Sequence, residues 1–272
     1  HLNDSISKIL ESGYEGTIIC ADGAMGHCLR NGLVPDYVLT LDPHPTRISR
    51  WFGDSEIGLV EVEEDDYFRR QDLDPHLRID EVTRNTELIE IVDRHGPQIK
   101  AVVSTSASQR VTKRCIDSGM AIYWWNPLLD DFEAPGSLTA QVFALNNVPC
   151  LASGGNAGTA SWVIAHAVLG MKRVALVGMD FSYAPGTPLR NTQYYNEIEE
   201  IFGDQTEDAF ISVRNPHLKQ TWYTDPAYYW YRQSFLEMAV LADCETYNCS
   251  EGGILFGKGI NFIPLMEFLN AN

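Results

Sequence analysis

The chain has 272 residues and 30.5 kDa, with 20 Lys+Arg against 37 Asp+Glu, giving a formal net charge of −17 and a pI of about 4.7. That balance argues against a protein gripping nucleic-acid phosphates through a basic face, and a hydrophobic fraction of 44% is too high for wholesale disorder and enough for a sizeable core. No stretch reaches the roughly 18 consecutive apolar residues of a membrane span, since the run at 161–171 is broken by His166 and Gly170.

The start, His1-Leu2-Asn3-Asp4, has neither the basic end nor the apolar centre of a secretory signal. The six cysteines include no C-x-x-C pair and several sit in apolar runs, so they read as buried reduced thiols and the expected location is cytoplasmic.

In chain order, an amphipathic helix at 4–11 precedes a strand at 16–22, a helix at 25–31 and a strand at 37–42. Residues 54–93 follow with an acidic excess, a strand at 57–62, the run Glu61, Glu63, Glu64, Asp65, Asp66 that reads as a solvated face, and a helix opening at 83. Strands at 99–105, 121–125, 149–152 and 173–180 then alternate with helices at 108–118, 138–145 and 157–169. Such alternation is the signature of βαβ units, so the expected fold is α/β and Rossmann-like, a mainly parallel sheet with helices on both faces and a C-terminal cap or lid. The core should span 1–183. Residues 184–225, polar and turn-rich apart from a helix at 194–202, read as a lid insertion; 226–272 read as a helical segment packed on the core.

Ligands of open parallel sheets bind beyond the carboxyl ends of the strands. The residues there are Asp22 with Gly23, Asp42, Ser104 with Thr105, Asn126, the loop Ser153-Gly154-Gly155-Asn156, and Asp180. Strands generally end in turn formers, so each position alone has a structural explanation, but three aspartates on one rim suggest a binding edge. The glycine loop opens a helix and would let a backbone approach an anion, although it matches neither Walker A nor G-x-G-x-x-G. An anionic ligand on an acidic protein needs positive charge, and Asp22 with Asp42 could supply it by holding Mg²⁺. The expected partners are a nucleotide and a small-molecule acceptor, with a homo-oligomer also compatible with the sequence.

Ala21-Asp22-Gly23-Ala24 and the run Gly32-Leu33-Val34-Pro35-Asp36-Tyr37-Val38-Leu39-Thr40-Leu41-Asp42-Pro43 resemble the MptE-like family (domain of unknown function 115). So do Gly154-Gly155-Asn156-Ala157-Gly158, Gly170 to Phe181, and Tyr247-Asn248-Cys249-Ser250-Glu251-Gly252-Gly253. The resemblance implies a Mg²⁺-dependent, nucleotide-using transferase similar to 6-hydroxymethylpterin diphosphokinases, with Asp42 as a catalytic group. It also implies that a first strand is missing ahead of Leu2-Asn3-Asp4. Where those enzymes carry a D-x-D pair, this chain has the single Asp42 followed by Pro43. The same family includes flagellin-modification proteins thought to be glycosyltransferases, and residues 172–183 also resemble a segment of bacterial sialyltransferases. That likeness implies the alternative, a glycosyltransferase using a nucleotide-activated acidic sugar, with His217 as general base. A binding module for nucleotide or sugar, without turnover, is the third reading.

Overall fold

The computed structural model describes residues 2–44, 46–56 and 75–271, excluding the side chains of 75–83. The strand expected at 57–62 and the acidic run at 61–66 lie outside the described residues. The chain divides into two compact units, Glu15–Ile164 on the one hand and His1–Tyr14 with Ala165–Asn272 on the other. Helix α1 (Leu2–Glu11) opens the chain and belongs to the second of these.

The unit 15–164 is built on five parallel strands, β1 (Ile19–Ala21), β2 (Tyr37–Thr40), β3 (Lys100–Ser104), β4 (Ala121–Pro127) and β5 (Cys150–Leu151), paired in that order. Parallel neighbours need long crossovers, and helices provide them: α2 (Asp22–Arg30), α3 (Pro75–His95), α4 (Gln109–Asp117) and α5 (Leu138–Asn146). A further helix, α6 (Ala157–Val163), continues as a π turn over Ile164–Val168 and packs, like α2, against β1 and β2. This is the α/β, Rossmann-like arrangement that the alternation of segments predicts. Val38, Leu39, Ala101 and Val103 are buried in the sheet, with Val111 and Cys115 buried on α4, as expected for parallel strands covered on both faces.

Local chemistry fixes the helix starts. Ser108 caps α4 by accepting from the Val111 amide at 3.3 Å, and Ser137 caps α5 by accepting from Ala140 at 3.1 Å. Asp130 gathers the Ser137 hydroxyl and the amides of Leu138 and Thr139, which hold its carboxyl well below the usual range. The 3₁₀ turn Ser49–Phe52 ends at Gly53, whose φ is +72° and where an added Cβ would lie 2.7 Å from the Ile89 amide nitrogen. Only glycine accommodates both demands.

In the second unit, β6 (Arg173–Leu176) lies in a parallel three-stranded sheet of order β10-β9-β6, with β9 (Glu245–Asn248) and β10 (Ile260–Phe262). The sequence reading extends this strand to residue 180 and groups it with its predecessors. The structure instead ends it at Leu176 and pairs it with β9, because Gly178 turns at φ +75° and gives its amide to the Ser250 hydroxyl at 2.9 Å. Leu265, Phe268 and Leu269 of α9 (Leu265–Asn270) form a core with Cys249, against which Ile9 of α1 packs.

In residues 184–225 the helix expected at 194–202 is present as α7 (Tyr195–Phe202), and the segment read as turns also holds an antiparallel hairpin of β7 (Ile211–Asn215) and β8 (Gln220–Thr224). The hairpin is tied to the chain around it: the Tyr183 amide donates to the Tyr223 carbonyl at 2.8 Å, and Tyr183 donates its hydroxyl to buried Asp225. Asp225 in turn caps α8 (Pro226–Leu241) by accepting from the Tyr228 amide at 2.8 Å. Among the described residues, no helix is long and apolar enough to cross a membrane.

Candidate functional site

In the five-stranded unit, the pairing of Ala21 with Leu39 brings Asp22 beside Thr40 where β1 and β2 end. Asp22 begins α2 rather than closing β1, is only 4% exposed, and accepts from the Gly23 amide at 2.8 Å. Burial pushes its carboxyl up to about 6; Thr40 and the Gly23 amide oppose this, and the charge of Asp42 reinforces it. Thr40 is fully buried, and its hydroxyl meets no hydrogen-bond partner by strict geometry.

Asp42 is exposed, two residues beyond the end of β2, and its Oδ1 accepts from the His44 amide at 2.8 Å. This is the turn-forming use of an aspartate. His44 continues the turn, its Nδ1 accepting from the Arg47 amide at 3.2 Å.

Several other rim residues are used within the fold. Ser104 is buried and pairs with Ser106 at 2.7 Å; Ser106 donates onward to the Leu41 carbonyl at 2.8 Å. Thr105 donates to Asn126 Oδ1 at 2.8 Å. Asn126, expected as a ligand group, is fully buried, and its amide exchanges hydrogen bonds with Asn146 at 3.0 and 2.9 Å and donates to the Val148 carbonyl at 2.8 Å. Its polar atoms hold β4 to the α5–β5 connection. In the glycine loop, Asn156 caps α6 by accepting from the Thr159 amide at 2.8 Å, and Ser153 Oγ accepts from the Gly155 amide at 3.4 Å. Gly154 and Gly155 sit at φ +56° and +83°, conformations that free glycine readily takes.

The second unit contrasts with this rim. Asp180 lies four residues beyond the end of β6, and its Oδ1 is buried with no hydrogen-bond partner. Burial pushes this carboxyl up, while the nearby Ser250 hydroxyl opposes the shift. The next residue, Phe181, holds φ at +49°, an outlier for a bulky side chain. It is kept there by packing near Phe235 and by the Thr224 hydroxyl, which donates to its carbonyl at 2.8 Å. On the same strand as Thr224, Trp222 is 8% exposed and its Nε1 also lacks a partner. Nothing in the sequence around Trp222 singles it out. Ser250 and the two glycines after Glu251 do fall in the Tyr247–Gly253 run that carries the family resemblance.

His217 stands in the β7–β8 turn, exposed, with its ring stacked on Phe262 at 4.6 Å and 6°. Its backbone amide donates to Asn215 Oδ1 at 2.9 Å, and Asn215 Nδ2 donates to the Gly253 carbonyl at 2.8 Å. The histidine turn and the Gly252-Gly253 turn are thus tied to each other. All six cysteines are free thiols, and among the described residues no three His, Cys, Asp or Glu side chains converge as metal ligands.

No protein-family model matches the chain, and no curated protein matches it. Among solved structures it is similar over 99% of its length to the structure of MAf glycosyltransferase from Magnetospirillum magneticum AMB-1, at 15% identity and a TM-score of 0.58. The chain spans about a third of that protein, 34% of its length. At this identity the likeness is one of fold.

Proposed function

We propose that the chain is a glycosyltransferase unit that moves a sugar from a nucleotide-activated donor to a hydroxyl-bearing acceptor. The observation that carries this reading is the likeness of nearly the whole chain to a protein described as a glycosyltransferase. Fold likeness alone does not assign chemistry, so the reading also draws on the unmet Oδ1 of Asp180 and the strained Phe181 beside it. Backbone strain of this kind persists where the surroundings over-determine it, and it clusters at functional sites.

In such a transfer, the bond between the sugar's anomeric carbon and a donor phosphate oxygen breaks as the acceptor oxygen bonds to that carbon. The acceptor's proton passes to a base. His217 is our candidate: a ring packed by its face on Phe262 keeps its edge nitrogens for hydrogen bonding. Asp180 would orient the donor. In the other unit, Asp22 and Asp42 could offer a magnesium ion two carboxylates, the number it commonly takes from protein. Here Asp42 is exposed and turned into its own loop while Asp22 is buried, so neither the proposed transfer nor the role of His217 depends on that pair.

The diphosphokinase reading would require a pyrophosphoryl group to leave ATP, releasing AMP. One assay separates the two: incubate the protein with CMP-N-acetylneuraminic acid, UDP-sugars or ATP, with and without Mg²⁺, and measure the released nucleotide. Release of CMP or UDP supports glycosyl transfer. AMP from ATP, with every sugar donor intact, would return the reading to diphosphokinase.

A further inference from the structure

We infer that Asp180 and Trp222 form a subsite for a polyhydroxylated ring, accepting from one hydroxyl at the Asp180 carboxylate and donating to another oxygen from the Trp222 indole. The inference rests on the glycosyltransferase reading and adds the ligand chemistry and a residue, Trp222, that no sequence argument reaches.

The first support is their common setting. Trp222 and Asp180 pack on consecutive residues of one turn: a Cβ added at Gly252 would lie 2.7 Å from Trp222 Cη2, and one at Gly253 would lie 2.7 Å from Asp180 Cβ. The segments carrying them are tied together as well, the Tyr183 amide donating to the Tyr223 carbonyl and the Thr224 hydroxyl to the Phe181 carbonyl, both at 2.8 Å.

The second support is how the neighbouring polar groups are used. Asn215 holds the Gly253 carbonyl, Asn248 donates to the Leu255 carbonyl at 2.7 Å, and Ser250 takes the Gly178 amide at 2.9 Å. Arg232 holds the carbonyls of Ile254 and Phe256 at 2.6 and 2.7 Å. Against this background of satisfied groups, Asp180 Oδ1 and Trp222 Nε1 are both unmet. Buried polar groups are normally paired, so an acceptor and a donor left open together call for an explanation. A carboxylate only accepts and an indole only donates. A ligand that satisfies both must carry donor and acceptor, as adjacent hydroxyls of a sugar do. A phosphate would repel the carboxylate, and a simple cation would leave the indole unmet.

Such hydroxyls could belong to the nucleotide's ribose or to the transferred sugar. The test is ¹⁵N NMR of the indole groups of the six tryptophans, with Trp222 assigned as the signal missing in Trp222→Phe. Titration uses CMP, N-acetylneuraminic acid and CMP-N-acetylneuraminic acid as separate probes. The expected result is movement of the Trp222 signal by the conjugate, with about tenfold weaker binding in Asp180→Asn, as loss of a charge-assisted hydrogen bond predicts. Movement by CMP alone assigns the ribose; movement by the free sugar assigns the transferred group. If the conjugate is bound and turned over while the Trp222 signal stays fixed, the subsite is wrong and the transferase reading stands. If no probe moves any signal, the subsite falls together with the reading beneath it.

Discussion

The two units place polar residues beyond their strands in similar ways and use them differently. Past the five-stranded sheet, Asn126, Thr105, Ser104, Ser106 and Asn156 satisfy one another or nearby backbone, so their chemistry builds the rim. Past the three-stranded sheet, Asp180 and Trp222 keep unmet atoms in a setting where the surrounding groups are paired. Polarity at a strand end therefore does not by itself mark a site. The informative sign is a buried group without a partner, next to backbone held in a costly conformation. Asp22 and Thr40 form an intermediate case, a buried carboxyl beside an unmet hydroxyl, and the buried Trp125 Nε1 of β4 is likewise unmet in this unit.

The largest expected effect lies on the side with unmet groups. His217→Asn should lower turnover by about 10²-fold or more while leaving donor binding intact, as removal of a general base does. Steady-state kinetics check this, and an unchanged kcat would assign the histidine to packing on Phe262. Gly253→Ala should follow, destabilising the fold by roughly 2–4 kcal/mol, because its φ of +82° and its approach to Asp180 both resist a side chain. Urea unfolding measures the loss.

Asn126 and Asp180 sharpen the contrast when substituted in parallel. Asn126→Ala should cost about 2–3 kcal/mol of stability by leaving buried partners unpaired, with donor affinity unchanged in the folded protein. Asp180→Asn should do the reverse: burial holds that carboxyl up, so removing its charge spares or raises stability while donor affinity falls. Equal stability losses in both would erase the distinction between the rims.

The smallest effect is the pH dependence of Asp22. Its folded pKa of about 6 lies above the ordinary 3.8, so its protonated form favours the folded state. That stability is present in full below about pH 4 and is lost as pH rises through 6, on the order of 2–3 kcal/mol. Asp22→Asn should lack this slope, so the stability difference between variant and wild type should change across pH 4 to 7. An identical slope in both proteins would show that Asp22 is not desolvated in the fold.

Much of the fold was legible because parallel strands buried on both faces leave plain apolar runs; Lys100–Ser104 and Tyr37–Thr40 are found where the pattern puts them. The two-sheet division was not legible. Arg173–Leu176 has the same composition as its predecessors, and only long-range pairing with Glu245–Asn248 assigns it elsewhere. The hairpin of Ile211–Asn215 and Gln220–Thr224 was read as turns, since polar residues alternate through it and no Asn-Gly or Asp-Gly marks its bend. Of the site, the aspartates were visible as residue types at strand ends. Burial, the orphaned atoms, the left-handed Phe181 and the role of Asn126 depend on tertiary neighbours.

Amide hydrogen exchange with and without CMP-N-acetylneuraminic acid tests most directly whether the unmet groups mark the binding site. The account predicts that donor protects residues 178–183, 220–224 and 250–254. Protection confined to 104–106, 126–128 and 150–156, with none around Asp180 and Trp222, would contradict it.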